Sequence, residues 1–350
     1  MAPRIPVNPA ALRQFSAPRN EFCLITDPEL GQLLTLGDSD FATSSIKIVE
    51  PGGSLAATIA ELSPDAAVLV AAPGLFVRSE DLADLRGRQV SIMPCGSTPV
   101  LREHVEHFLA VLERTDPVAQ AERADRFFDA VGDAGQLVLS DAKAGTQCVF
   151  DPAGGDYEWN QQAGMIGPGE QQIAPAGELS VLPMEITDFD PDRRLAMNGT
   201  LTLRGEAIVH AGYDPAMAGT QAALYEELAD VRSTPVTIEV VEGVITEVKG
   251  DGRAAAALVA LFDVDERYRP VWELGFGIND SMSVVEANCG LNEVFGGSNG
   301  VVHLGIGLTP FTQFALTFLC PDTTLTDQNG AVLLGKRRIM RTRDASCGCH

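Results

Sequence analysis

Apolar residues in the first half of the chain fall in short runs divided by helical stretches. Phe22-Cys23-Leu24-Ile25-Thr26-Asp27 and Ser45-Ile46-Lys47-Ile48-Val49-Glu50 read as strands, the second closed by Pro51-Gly52-Gly53. Ser54 has the character of an N-cap for a helix over Leu55–Leu62. Ala66–Ala71 is apolar throughout, as a strand covered on both faces of a parallel sheet is. Asp81–Leu85 reads as a helical turn and Gln89–Pro94 as a further strand. From Thr98 the period becomes helical, with Val100, Leu101, Val105, Phe108, Leu109 and Leu112 on one face. Asp116-Pro117 breaks that run, and a second helix follows through Phe127, Phe128 and Val131. Gln136–Ser140 and Thr146–Asp151 are strands again. The alternation predicts a small α/β domain with a mostly parallel sheet over 21–150, preceded by a Pro-, Ala- and Arg-rich arm, 1–20.

The pattern changes at Asp151-Pro152-Ala153-Gly154-Gly155-Asp156. Beyond it glycine is frequent and strands dominate, with helices near Gln221–Leu228 and Arg253–Phe262. Val236–Val248 reads as a hairpin turning at Glu242-Gly243. This half, 151–345, is expected to be a mixed α+β domain, followed by a cysteine-rich tail, 346–350. No fixed period recurs, which argues against a solenoid.

Two segments of the second half share one form. Trp272-Glu273-Leu274-Gly275-Phe276-Gly277-Ile278-Asn279 and Val301-Val302-His303-Leu304-Gly305-Ile306-Gly307 each place a metal-competent side chain before apolar-Gly-apolar-Gly. A strand with glycine at every second position has one bare face, which a neighbouring chain or a ligand can approach closely. A third candidate is Glu178, which interrupts the apolar strand in Pro175-Ala176-Gly177-Glu178-Leu179-Ser180-Val181-Leu182-Pro183. Glu178, Glu273 and His303 together suit a divalent metal. Without one, two close carboxylates force one to be protonated or call for a cation, and Arg193, Arg194, Arg267 and Arg269 are candidates.

Other chemistry is less specific. Pro51-Gly52-Gly53-Ser54 lacks both G-x-G-x-x-G and G-K-[ST], so no phosphate loop is read there. His104 and His107 flank the apolar face of their helix and are expected on a solvated surface. His210, in the loop that carries Tyr213, is a candidate substitute ligand or base, against the plainer reading of a solvated histidine.

Composition narrows the classes. The 350 residues are 45% apolar and 21% charged, within the range of globular proteins, and no window has the run of apolar residues that a membrane span needs. A net charge of −23 opposes nucleic-acid partners and anionic membranes. Met1–Arg13 has no apolar core of signal-peptide length, so a cytoplasmic location is expected. The seven cysteines, 23, 95, 148, 289, 320, 347 and 349, are odd in number and mostly far apart, unlike a disulfide framework. Cys347-Gly348-Cys349-His350 is a weak metal or redox motif that could complete a site.

In its second half the chain resembles the aminopeptidase T family of metallo-aminopeptidases over roughly 177–307. The resemblance lies in Gly177-Glu178, Asn198-Gly199-Thr200, the hairpin, Glu273-Leu274-Gly275-Phe276-Gly277-Ile278-Asn279 and Val302-His303-Leu304-Gly305-Ile306-Gly307. It implies an α+β domain of aminopeptidase T type, with Glu178, Glu273 and His303 as metal ligands and the two glutamates as the catalytic carboxylates. Members of that family dimerise, so a homodimer is compatible with the resemblance. Its second ion rests on a later His-x-Asp pair and a Tyr. Here the Tyr position falls on Thr309 or Pro310, and Phe314–Leu319 contains neither His nor Asp. One divalent ion (Zn, Mn, Co or Fe), or none, is the expectation.

The first function expected is a metal-dependent hydrolase of a peptide or amide, with Asp280 or Glu293 as proton shuttle. The alternative is an inactive scaffold that binds a precursor peptide in natural-product biosynthesis. A third reading, similarity to ring-cleaving dioxygenases, implies one non-haem iron, although Glu273 stands where those enzymes use His.

Overall fold

The computed structural model describes residues 3–16, 19–73, 75, 82–93, 102–186, 190, 192–211, 215–282 and 297–335. β1 (Ile5–Val7) leads to β2 (Glu21–Thr26), α1 (Pro28–Leu33), β3 (Leu34–Leu36) and β4 (Thr43–Ile48). α2 (Leu55–Ala60), β5 (Ala67–Ala71), β6 (Gln89–Ile92), α3 (Arg102–Arg114) and α4 (Pro117–Asp133) follow. The Ser54 cap read from the sequence is in place, and Asp116, read only as part of a helix break, caps α4. Ser54 Oγ accepts from Ala57 N, and Asp116 accepts from Val118 N and Ala119 N with Pro117 at the first helical position.

The second half begins with β7 (Leu137–Asp141), β8 (Thr146–Phe150), β9 (Tyr157–Gln162), β10 (Gln171–Ile173) and β11 (Glu178–Pro183). Next come β12 (Met197–Leu203), β13 (Glu206–His210), α5 (Ala218–Leu228), β14 (Val236–Val241), β15 (Val244–Lys249) and α6 (Arg253–Val264). β16 (Val271–Gly277), β17 (Val302–Ile306), β18 (Ala315–Cys320), β19 (Thr324–Asp327) and β20 (Val332–Leu334) complete the described elements. The β14–β15 hairpin turns where predicted, with positive φ at both Glu242 (50°) and Gly243 (76°).

Three large sheets result. One is parallel, in the order β10-β6-β5-β2-β4. Two are antiparallel: β13-β18-β17-β16-β11-β9, and β15-β14-β12-β8-β7-β19-β20. The fold is thus mixed α/β with one large parallel and two large antiparallel sheets, beside the small parallel pair β1-β3. Sheet membership crosses the boundary expected near residue 150. β7 and β8 lie before it yet pair within the seven-stranded sheet, and β10 lies after it yet forms the edge of the parallel one. The arm is no loose extension. Ile5, Val7, Leu12 and Phe15 are buried, and β1 pairs with β3.

Alternation along the strands separates the cores. Leu179, Val181, Leu274, Phe276, Leu304 and Phe318 point from the six-stranded sheet toward residues of the seven-stranded one. Ile208 and Leu319, on the opposite face of the six-stranded sheet, join a core with Phe22, Leu24, Leu69 and Phe108 of the N-terminal unit. That opposite face carries the candidate site.

Among the described residues no helix is long and apolar enough to cross a membrane.

Candidate metal centre

Glu178 is the first residue of β11, and Ala176 and Gly177 just before it take positive φ, 70° and 103°. Glu273 follows a bulge in β16, where the register with β17 shifts by one residue between Val271 and Glu273. His303 is the second residue of β17. Each of the three stands opposite a glycine: Glu178 opposite Gly277, Glu273 opposite Gly305, His303 opposite Gly275.

The glycines have a steric purpose that the sequence reading anticipated. A Cβ on Gly275 would lie 1.9 Å from His303 Cε1 and Nε2. A Cβ on Gly305 would lie 2.8 Å from Glu273 Cβ. The side chains therefore lie along the bare neighbouring backbone and converge. His303 Nε2 is 3.0 Å from Glu178 Oε1 and 3.9 Å from Glu273 Oε1. One donor atom from each residue falls within 4.8 Å of the other two.

The electrostatics of the metal-free cluster follow. Burial disfavours an imidazolium at His303, which is 2% exposed, but Glu178 and Glu273 outweigh it and push its pKa up to about 10. Burial also raises Glu178, with the His303 charge opposing and the Glu273 charge adding to the rise. Burial pulls Glu273 the same way, but hydrogen bonds from His303 and Ser180 bring it below the ordinary carboxylate value. His303 is thus the counter-cation, in place of the arginines proposed from sequence. Arg193 pairs with Glu185 and Asp190, Arg267 pairs with Asp265, and Arg269 donates to Ile245 O and lies over the Phe262 ring. Arg194 lines a separate cavity of about 380 Å³ beside Tyr157 and Met184.

The donor set fits one divalent ion. Ligand bonds of about 2.0–2.2 Å put donors on a shared ion roughly 3–4 Å apart, so the observed spacing needs only small closure. Two carboxylate oxygens and an imidazole suit Zn²⁺, Mn²⁺, Fe²⁺ or Co²⁺. Nδ1 of His303 is buried with no hydrogen-bond partner among the described residues, so the carboxylates at Nε2 set the ring orientation. Among the described residues no comparable ligands for a second ion are grouped with the three donors. On β18 the residues opposite Gly305 and His303 are Thr317 and Leu319, and Leu319 is buried in the apolar core.

The other sequence candidates lie elsewhere. His210 ends β13 opposite Ala315 and is not grouped with the three. Burial lowers its pKa. His104 corrects the solvated-surface reading, since it is buried and its pKa is lowered by burial. Asp280 is exposed and engaged with Arg123 and Asn299. Cys23, Cys148 and Cys320 are buried free thiols. Cys95, Tyr213, Cys289, Glu293, Cys347, Cys349 and His350 lie outside the described residues. Sequence reasoning missed Ser180 as a site residue, although its place two residues after Glu178 puts it on the same face.

Comparison with known proteins places the chain. The family model described as "Crocagin biosynthetic protein CgnE/B" matches residues 55–326. The chain belongs to the CgnE/B family. No curated protein matches it. Among solved structures, 2,5-dihydroxypyridine dioxygenase from Pseudomonas putida KT2440 superposes with a TM-score of 0.55 at 15% identity, covering 90% of each chain. Wild-type AmpT from Thermus thermophilus gives a TM-score of 0.49 at 12% identity, covering 92% of this chain and 94% of that one. At such identity the first of these is a likeness of fold.

Proposed function

We propose that this CgnE/B protein is a one-metal hydrolase of a peptide or amide in a biosynthetic pathway, with Glu178, Glu273 and His303 holding the ion. The observation that carries this reading is the convergence of three donors over backbone cleared by glycine. The family's name supplies the biosynthetic setting. A divalent ion bound there supplies a Lewis acid for the scissile carbonyl and an activated water. For an ion to bind, His303 would give up the proton at Nε2 to solvent, since Glu178 Oε1, 3.0 Å away, is itself a ligand and must stay ionised. The hydrogen bond and charge of His303, with a smaller contribution from Ser180, hold Glu273 below the ordinary carboxylate value against its burial.

A second reading is a scaffold that binds a precursor peptide without cleaving it. Thr317 and Leu319, where a two-ion site would need ligands, favour it. β9 is the sheet-edge strand beside Glu178, to which an extended peptide could add. Amine release from a panel of peptides, measured with Glu178→Ala and His303→Ala, separates the two. Hydrolysis lost in both variants supports the hydrolase, whereas hydrolysis unchanged in both removes the site from the chemistry. Peptide binding without hydrolysis supports the scaffold. Iron with oxygen consumption would favour a ring-opening oxygenase instead.

A further inference from the structure

Asn279 lies just past the Gly-rich strand β16 and is not one of the three donors, yet it joins every segment that delivers them. Its side chain is 2% exposed. Nδ2 donates to Ala176 O at 2.9 Å and to Thr115 Oγ1 at 3.1 Å, and Oδ1 accepts from Ser281 N at 2.9 Å. Its backbone N donates to Gly297 O at 2.8 Å, and its carbonyl accepts from Asn299 N at 3.1 Å, just ahead of β17. Three routes therefore meet at one residue: its carboxamide holds the approach to Glu178 and the α3–α4 junction of the N-terminal unit, and its backbone holds the approach to His303.

The approach to Glu178 needs such a hold. Ala176 has φ of 70°, a left-handed conformation that strains a residue with a Cβ. Gly177 continues at 103°, and a Cβ there would lie 2.4 Å from Asn279 Cβ. Ile278 N donates to Gly177 O at 2.7 Å on the other side of the same bend. Thr115 is itself fixed, since its Oγ1 donates to Val111 O at 2.9 Å.

We propose that Asn279 is a positioning residue for the metal centre. It locks the Ala176-Gly177 bend that aims Glu178 and ties that bend to the seating of the N-terminal unit. This rests on the metal-binding reading above. Asn279→Asp keeps the acceptor for Ser281 N and loses the donors to Ala176 O and Thr115 Oγ1. Thr115→Val removes the tie to the N-terminal unit and leaves the bond to Ala176.

The test is a Co²⁺ titration of metal-depleted protein, followed by absorption spectroscopy, with hydrogen exchange at the Gly177 and Ile278 amides. Asn279→Asp and Asn279→Ala should bind Co²⁺ about 10–100-fold more weakly, the usual range for loss of a group that orients a ligand. They should also show altered ligand-field bands and faster exchange at both amides. Thr115→Val should bind within a few-fold of wild type. Wild-type affinity, bands and exchange in folded Asn279→Asp would overturn the inference. Wild-type protein that takes no Co²⁺ overturns the metal reading itself, and the exchange rates then decide alone whether Asn279 locks the bend.

Discussion

His303 and Glu178 stand on strands that are not neighbours, yet Nε2 of one lies 3.0 Å from Oε1 of the other. β16 runs between them, and the imidazole crosses it over Gly275, which has no side chain to obstruct the ring. The contact therefore depends on a glycine as much as on its two partners.

Gly275→Ala tests that dependence. A Cβ 1.9 Å from the ring must displace it, because the strand backbone is held on both sides. The expected cost is about 1–3 kcal/mol of stability, as for other overpacked sites, with metal affinity at least about tenfold lower when a first ligand is misplaced. Thermal melts and titration calorimetry report both. Unchanged affinity would show that the ring does not ligate in this position.

Gly243→Ala is the matching structural control. Its Cβ would lie 2.1 Å from Leu195 O, and its φ is 76°. A loss of about 1–3 kcal/mol is expected, from strain at a left-handed position. Metal affinity of the folded protein should stay at the wild-type value, since the hairpin belongs to the seven-stranded sheet.

Metal-free protein should lose stability as pH rises. His303 moves from an ordinary 6.5 up to about 10 in the fold because the two carboxylates outweigh its burial. A base whose folded pKa is raised contributes stability that is full below its unfolded value and is lost as pH climbs through the folded one. The window is thus about pH 6.5 to 10. Glu178, also raised, acts in the same sense from its ordinary 4.5 upward, while the lowered Glu273 contributes stability that is lost only toward acid pH. Melts of chelator-treated protein at pH 6 and pH 10 should show the decline, and His303→Gln should flatten it. Equal slopes in the two proteins would contradict the imidazolium assignment.

The buried thiols should be inert. Burial pushes Cys148 up to about 12 and Cys320 up to about 11, so neither is a thiolate at pH 8. Both should resist a disulfide reagent in native protein and react on denaturation, as read by peptide mass mapping. Rapid native labelling of either would show that its strand opens.

Much of the site was legible because its signal is local. Glycine at every second position, after a lone Glu or His, announced two strands bare on one face. Period two then placed Glu273, Gly275 and Gly277 together. What sequence could not supply was which strands are neighbours. Strand order makes Glu178 the partner of Gly277 and puts Thr317 and Leu319 on the site face. β9, Tyr-Glu-Trp-Asn-Gln-Gln, alternates only at Tyr157 and Trp159 before running into polar residues, so as a half-exposed edge strand it carries a weak signal. His104 was misread because the apolar face of α3 is wider than its aliphatic residues suggest, and Phe108 and Leu112 share burial with the histidine. Assignment of β7 and β8 to the N-terminal unit failed for a related reason, because apolar runs reveal strands but not the sheet they join.

The central claim is a single-ion site on Glu178, Glu273 and His303. Its most direct test is the metal content of purified, untagged protein after loading with Zn²⁺, Mn²⁺, Fe²⁺ or Co²⁺ and desalting, read by elemental mass spectrometry beside Glu273→Ala. One equivalent of a divalent transition metal in the wild type, lost in the variant, is the predicted result. No retained metal in either protein, or a full equivalent retained by folded Glu273→Ala, would contradict it.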